Sequence, residues 1–217
     1  MKNPKVSVII PVFNKETFIG RCLRSIFTQT LDATDYEVVV VDDGSTDHSI
    51  EVINGFLPSL NLVRHKRNKG LPSALNTGIR ASKGQFIIRM DADDYVHSEY
   101  LNILSLALRL DNKIDAVACD YTLVDERQNQ ITNVNCLDKP IGCGIMYRIE
   151  HLISLGLYDE KFLVHEEKEL RIRFDQNHEV VRIPIPLYRY FIHGDNLTSN
   201  SKLVSDYSKI LNAKYNL

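Results

Sequence analysis

At 217 residues the chain is long enough for one α/β domain whose core needs no disulfide or metal to hold it. Its 26 basic residues against 28 acidic ones exclude the global positive field that holds nucleic acid or an anionic membrane, so any phosphate recognition must be local. Cys22, Cys119, Cys136 and Cys143 have neither C-x-x-C spacing nor the density of a disulfide scaffold and read as reduced thiols.

No run reaches the ~18 apolar residues that a membrane span needs. Met1-Lys2-Asn3-Pro4 leads into a strand instead of a secretory signal, so the expectation is a soluble, cytoplasmic chain. This composition is compatible with association at the inner face of a membrane through a partner or a surface helix.

In chain order, the first half alternates β-branched runs with helical patterns, which predicts βαβ units and a mainly parallel sheet buried on both faces. The expected strands are Val6 to Ile10, Glu37 to Val41, Leu62 to His65, Gln85 to Met90 and Ala116 to Cys119. Between them Phe18, Cys22 and Ile26 recur at helical spacing. Ile50 to Phe56, Leu71 to Arg80 and Glu99 to Leu110 read as further helices, the last with Ser98 as N-cap. Asp125 to Pro140 is polar and carries no clear element, as functional loops often do. Order returns with a strand at Gly144 to Met146, a helix at Ile149 to Leu155 closed by Gly156, and a helix at Lys168 to Asn177. Nothing marks a linker, so one domain is expected over 1–217, with a ligand-binding half (1–120), a second half (121–200) and a C-terminal helix or tail (201–217).

Carboxylates cluster where strands end, the place where open α/β sheets bind ligands. In Asp42-Asp43-Gly44-Ser45-Thr46-Asp47, Gly44 permits a tight turn, Ser45 or Thr46 can cap the next helix, and one aspartate is left to accept bonds from a base or ribose. The alternative is a plain strand-to-helix turn. In Asp91-Ala92-Asp93-Asp94, three like charges in four residues repel one another unless a cation sits among them, and oxygen ligands favour magnesium, manganese or calcium over zinc. A solvated acidic turn is the plainer alternative.

Val6-Ser7-Val8-Ile9-Ile10-Pro11-Val12-Phe13-Asn14, Val40 to Asp47, Asn68-x-Gly70 with Ala74, Asn76 and Gly78, and Asp91 to Asp94 together resemble glycosyltransferase family 2 in order and spacing, over roughly Val6 to Thr198. The resemblance implies an α/β GT-A fold, Rossmann-like with flanking helices, and an inverting transferase. Its donor would be a nucleotide diphosphate sugar, its acceptor a saccharide or lipid-linked hydroxyl, and its cofactor Mn2+ or Mg2+ at a D-x-D motif. It places Pro11, Phe13 and Asp43 in the nucleotide pocket, with Asn68 and Gly70 on the loop lining the donor. Asp91 falls near ribose and metal, Asp93 on the metal, and Asp94 is a substitute ligand.

A further match runs from Gly156-Leu157-Tyr158-Asp159-Glu160 through His165-Glu166-Glu167-Lys168-Glu169-Leu170 to Arg173. The family has a Glu-Asp pair here whose second member is the catalytic base, which puts Glu167 in that role and Glu166 as the fallback. Arg173 is assigned to the nucleotide-sugar side, although Glu169 and Arg173 can also pair at i, i+4. Tyr188 to His193 resembles the closing strand, where His193 would complete the metal shell or bind a phosphate oxygen. Without the family, the 165–173 segment reads as a charged helix face and His193 as a structural histidine.

Rivals are few. A pyrophosphorylase or a dinucleotide enzyme would carry glycines after the first strand, and none precedes Gly20. A catalytically silent glycan-binding or partner domain would have lost acidic groups, yet Asp91, Asp93 and Glu167 are present.

Overall fold

The structure is a computed structural model that describes residues 3–194 and 201–216. The end of the family resemblance, at Thr198, lies outside the described residues. Among those residues one nine-stranded sheet forms the middle layer, in the order β3-β2-β1-β4-β8-β6-β9-β5 with β7 paired to β6.

The strands β1 (Val6–Val12), β2 (Tyr36–Asp42), β3 (Asn61–Arg64) and β4 (Phe86–Arg89) make the parallel half. Every residue of β1 is buried, as expected for a central strand covered on both faces. Pro11 is tolerated there for a geometric reason. Ile9 accepts the Met90 N–H, so residues of that parity point toward β4, and Pro11 lies beyond Arg89, the last β4 residue to pair. The helices α1 (Ile19–Phe27), α2 (Ser49–Asn54), α3 (Leu71–Ala81) and α4 (Tyr100–Leu110) connect and cover these strands. α3 packs on β1 and β2. Gly78 makes that approach possible, because a Cβ there would run into the Ile9 side chain.

The second half is mixed. β6 (Ala116–Val124) lies antiparallel to β8 (Ile145–Arg148) and to β7 (Gln130–Val134), and parallel to β9 (Val180–Phe191). The short β5 (Tyr95–Val96) closes the edge against β9. Two departures from expectation stand out: a strand, β7, inside the stretch read as structureless, and twelve residues in β9 where only its end was anticipated. β9 absorbs Pro184 and Pro186 through register shifts against Cys119, Asp120 and Tyr121.

The remaining helices are α5 (Ile149–Ser154), α6 (Glu166–Phe174) and α7 (Ser201–Tyr215). α6 starts two residues before the expected Lys168, which puts Glu166 and Glu167 in its first turn. The expected caps are corrected. Asp47, not Ser45 or Thr46, accepts the Ser49 N–H at the start of α2. α4 opens with Glu99 at the cap position, and the Ser98 carbonyl instead accepts from Thr30. All four cysteines are free and buried. No described helix is long and apolar enough to cross a membrane.

Candidate active site

Three acidic segments converge at the ends of β2 and β4 and the start of α6. In the first, Asp42 is fully buried and accepts the Ser45 N–H at 3.1 Å. Asn14, left-handed at φ 52, clamps the turn from β1: its Oδ1 accepts the Thr46 N–H at 2.8 Å, and its own N–H donates to Ser45 Oγ at 3.0 Å. Gly44 is required at φ 79, since a Cβ there would sit 2.7 Å from the Arg67 backbone.

Asp43 is not the free acceptor that was expected. Its carboxylate takes the Lys69 N–H at 3.0 Å and the Gly70 N–H at 2.8 Å, where α3 begins, and His65 Nδ1 lies 2.6 Å away. A carboxylate at a helix N-terminus is favoured by the orphan N–H groups there. Asp43 therefore holds the 65–70 loop against β2. Asn68 caps within that loop, its Oδ1 accepting the Gly70 N–H at 2.9 Å. Phe13 is 42% exposed and free to meet a planar ligand, while Pro11 is buried in β1.

In the second segment the three aspartates face different ways. Asp94 is buried, its oxygens accepting the Tyr188 hydroxyl at 2.6 Å and the Phe191 N–H at 2.8 Å. Burial, reinforced by the charges of Asp93 and Asp91, pushes this carboxyl well above the usual range. Asp93 Oδ2 meets Lys15 Nζ at 2.7 Å and His193 Nε2 at 3.0 Å. Burial works against its charge, but the Lys15 ammonium and the hydrogen bonds from Lys15 and His193 outweigh it and hold the carboxyl below the usual range. Asp91 is gripped by Arg89, with Nε to Oδ1 at 2.8 Å and Nη2 to Oδ2 at 3.1 Å.

The same guanidinium reaches the third segment, donating from Nη1 to Glu166 Oε1 at 2.8 Å. Burial opposes the charge on Arg89, and the carboxylates of Asp91 and Glu166 more than offset it. The Glu166 side chain is only 5% exposed, and burial pushes its carboxyl up to about 7 against the pull of Arg89. Glu167 is half-buried and lines a cavity of about 280 Å3 with Ile141, Gly142, Tyr147 and Tyr158.

Arg173 does not join the site. It binds Glu169 through Nε at 2.9 Å and Nη2 at 2.6 Å, and it donates to the carbonyls of Leu155 and Leu157. The pair at i, i+4 is thus present and serves as a structural clamp. The assigned metal ligands also divide: Asp91 and Asp94 lie with Cys143, their ligand atoms within 4.8 Å, whereas Asp93 turns to His193. Asp94 and the Cys143 thiol, both raised well above their usual ranges by burial, favour their protonated forms. The Asp93 carboxylate, held ionised, is the better donor to a hard divalent cation; the His193 imidazole lies 3.0 Å from it and Lys15 supplies positive charge at the same oxygen. Sequence reading missed Lys15, Arg89 and the hydroxyl of Tyr188. The available signal was a lone arginine in the apolar run before Asp91.

A mixed α/β sheet with acidic turns at its strand ends is the architecture of GT-A glycosyltransferases. Residues 7–155 match the family model described as Glycosyl transferase family 2, and the chain belongs to that family. The uncharacterized glycosyltransferase EpsJ of Bacillus subtilis (strain 168) is 39% identical over 120 residues, covering 54% of this chain and 34% of EpsJ. Poly(ribitol-phosphate) beta-glucosyltransferase of Bacillus spizizenii is 40% identical over 101 residues, which is 45% of this chain and 16% of that protein. The match thus spans about a third or less of these two relatives. S. aureus TarS 1–349 in complex with UDP-GlcNAc superposes with a TM-score of 0.80 at 21% identity, covering 96% of this chain and 66% of that one. The mannosyltransferase PcManGT from Pyrobaculum calidifontis, in complex with GDP-Man and Mn2+, gives 0.77 at 21% identity, covering 99% and 65%. At those identities the likeness to both structures is one of fold.

Proposed function

We propose that this chain transfers a sugar, with inversion, from a nucleotide diphosphate sugar to an acceptor hydroxyl. The observation that carries the reading is the Arg89 guanidinium, which holds Asp91 of the second acidic segment and Glu166 of the third. Two motifs far apart in sequence are thereby fixed as one unit, with a donor side and an acceptor side. The family membership and the nucleotide sugars named with the two structural neighbours support the donor class.

On the donor side, Asp93, with His193 3.0 Å from it, would hold Mn2+ or Mg2+. A cation bound there supplies positive charge against the departing diphosphate. Lys15, 2.7 Å from Asp93, adds a fixed charge of the same sign. Phe13 and the 65–70 loop ordered by Asp43 form the nucleotide side, so Asp43 acts by shaping that loop.

On the acceptor side, Glu167 removes the proton of the attacking hydroxyl. It is half-buried and lines the 280 Å3 cavity, while Glu166 is bound by Arg89 and almost closed to solvent. Both lie in the first turn of α6, whose N-terminal dipole favours carboxylate ions. The names of the relatives, a poly(ribitol-phosphate) glucosyltransferase and a chondroitin synthase of Escherichia coli, support a saccharide or polymer acceptor. No observation favours the catalytically silent alternative.

The test is isothermal calorimetry with UDP and GDP, in manganese and in EDTA. Binding that requires the metal and disappears in Asp93→Ala is expected, since carboxylates alone repel a diphosphate. Equal affinity in EDTA would sink the metal assignment, and no binding of either nucleotide would sink the donor class.

A further inference from the structure

A second group of ligand-type side chains meets at the other end of the sheet. Asp115 immediately precedes β6, His151 lies in the first turn of α5, and His178 sits in the turn between α6 and β9. Tyr147 of β8 pairs with both Ala116 and Ile87, which places Asp115 level with Phe86. Asp91 lies beyond the end of β4, five residues further along, or ~16 Å at the usual strand rise.

His151 Nε2 is 3.1 Å and His178 Nδ1 is 3.4 Å from the same oxygen, Asp115 Oδ1. The three ligand atoms lie within 4.8 Å of one another. The longer contact exceeds the ~2.7–3.2 Å range of an N–H···O bond. Ligands bound ~2.0–2.1 Å from a tetrahedral ion stand ~3.3 Å apart, and both separations lie near that spacing.

The surroundings hold the group in place. Asp115 Oδ2 accepts the Glu179 N–H at 3.1 Å, which fixes the carboxylate in the way that outer hydrogen bonds orient metal ligands. The two imidazoles lie tilted by 40° with centroids 4.1 Å apart, and both pack against buried Phe174, at 6.3 Å and 5.0 Å. Burial and the neighbouring His178 lower the proton affinity of His151, favouring the neutral imidazole that binds metals. Side-chain exposures of 19%, 19% and 26% leave the group reachable from solvent. Arg148, whose charge acts on His151, is engaged by the carbonyls of Leu108, Asp111 and Ile114.

We propose that Asp115, His151 and His178 form a second metal site, for zinc or a similar divalent transition ion, with water in the fourth position. Two imidazoles and one carboxylate suit such ions, whereas magnesium and calcium prefer oxygen alone. The site ties the start of β6 and the first turn of α5 to the segment leaving α6, the helix that carries Glu167. Bound metal therefore stabilises the native chain, because no preformed site exists in the unfolded one.

Titration of the metal-stripped full chain with cobalt(II), followed by visible absorption, separates the two centres. Four-coordinate cobalt absorbs strongly, and a six-coordinate, oxygen-rich centre absorbs weakly. The expected result is an intense, saturable band at one equivalent in the wild type and in Asp93→Ala, displaced by zinc and lost in His151→Ala and His178→Gln. Absence of the band in the wild type overturns the proposal, as does a band that survives both histidine substitutions or vanishes in Asp93→Ala. Should circular dichroism show either histidine variant unfolded, ring-nitrogen NMR of the wild type decides: zinc must shift the rings of both His151 and His178, and unshifted rings overturn the proposal.

Discussion

Replacing Glu166 by glutamine should flatten the loss of stability between weak acid and neutrality. Burial raises this carboxyl from an ordinary 4.5 to about 7; Arg89 opposes the shift and the charge of Glu167 adds to it. The native state thus holds a proton that the unfolded chain has released, so stability falls as pH rises between those two values. The contribution is fully present below about 4.5 and lost as pH approaches 7. The gap corresponds to on the order of 3 kcal/mol. For a chain of this size ~1 kcal/mol moves Tm by ~2–4 °C, so the effect is roughly 6–12 °C. Glutamine still accepts from Arg89 and carries no titrating proton. The Tm of Glu166→Gln minus that of the wild type, read by scanning calorimetry at half-unit pH steps, should therefore climb by roughly that amount across the range. A difference independent of pH would refute the reasoning, because the carboxyl would then titrate alike in both states.

Two further outcomes follow from contacts in the donor half. Asp43→Ala removes the acceptor shared by the Lys69 and Gly70 N–H groups, at about 0.5–1.5 kcal/mol for each hydrogen bond lost, so thermal unfolding should shift downward together with nucleotide affinity. An unchanged Tm with lost binding would make Asp43 a ligand contact only. Gly78→Ala forces a methyl group against Ile9 and should destabilise by ~1–3 kcal/mol in urea unfolding, with the nucleotide affinity of the folded protein unchanged. No change in stability would mean that α3 stands farther from β1.

The parallel half was legible because its strands are short β-branched runs bounded by turn residues, and the interior enforces that pattern. β7 left no such trace: four of its five residues are exposed, so burial does not select an alternation of apolar and polar side chains. In β9 the prolines argue against a strand, and only the register shifts opposite Cys119 to Tyr121 make room for them. The acidic motifs marked strand ends as candidate ligand sites but did not tell which way each carboxylate points. That is decided by partners remote in sequence, such as Arg89 for Glu166 and Gly70 for Asp43. Arg173 shows the converse. Its pairing with Glu169 is a local helical relation and could be read from spacing alone, and that pairing, with the carbonyls of Leu155 and Leu157, occupies the side chain.

Sugar transfer with Glu167 as the base is measured by the rate of nucleoside diphosphate release from UDP-GlcNAc, UDP-Glc and GDP-Man in manganese. The wild type should turn over at least one of these donors, with water standing in for the acceptor, and Glu167→Gln should slow that donor by roughly 10²–10⁴. Full activity in Glu167→Gln together with loss of activity in Glu166→Gln would move the base to Glu166, and turnover of none of the three donors by the wild type would contradict the proposed reaction with them.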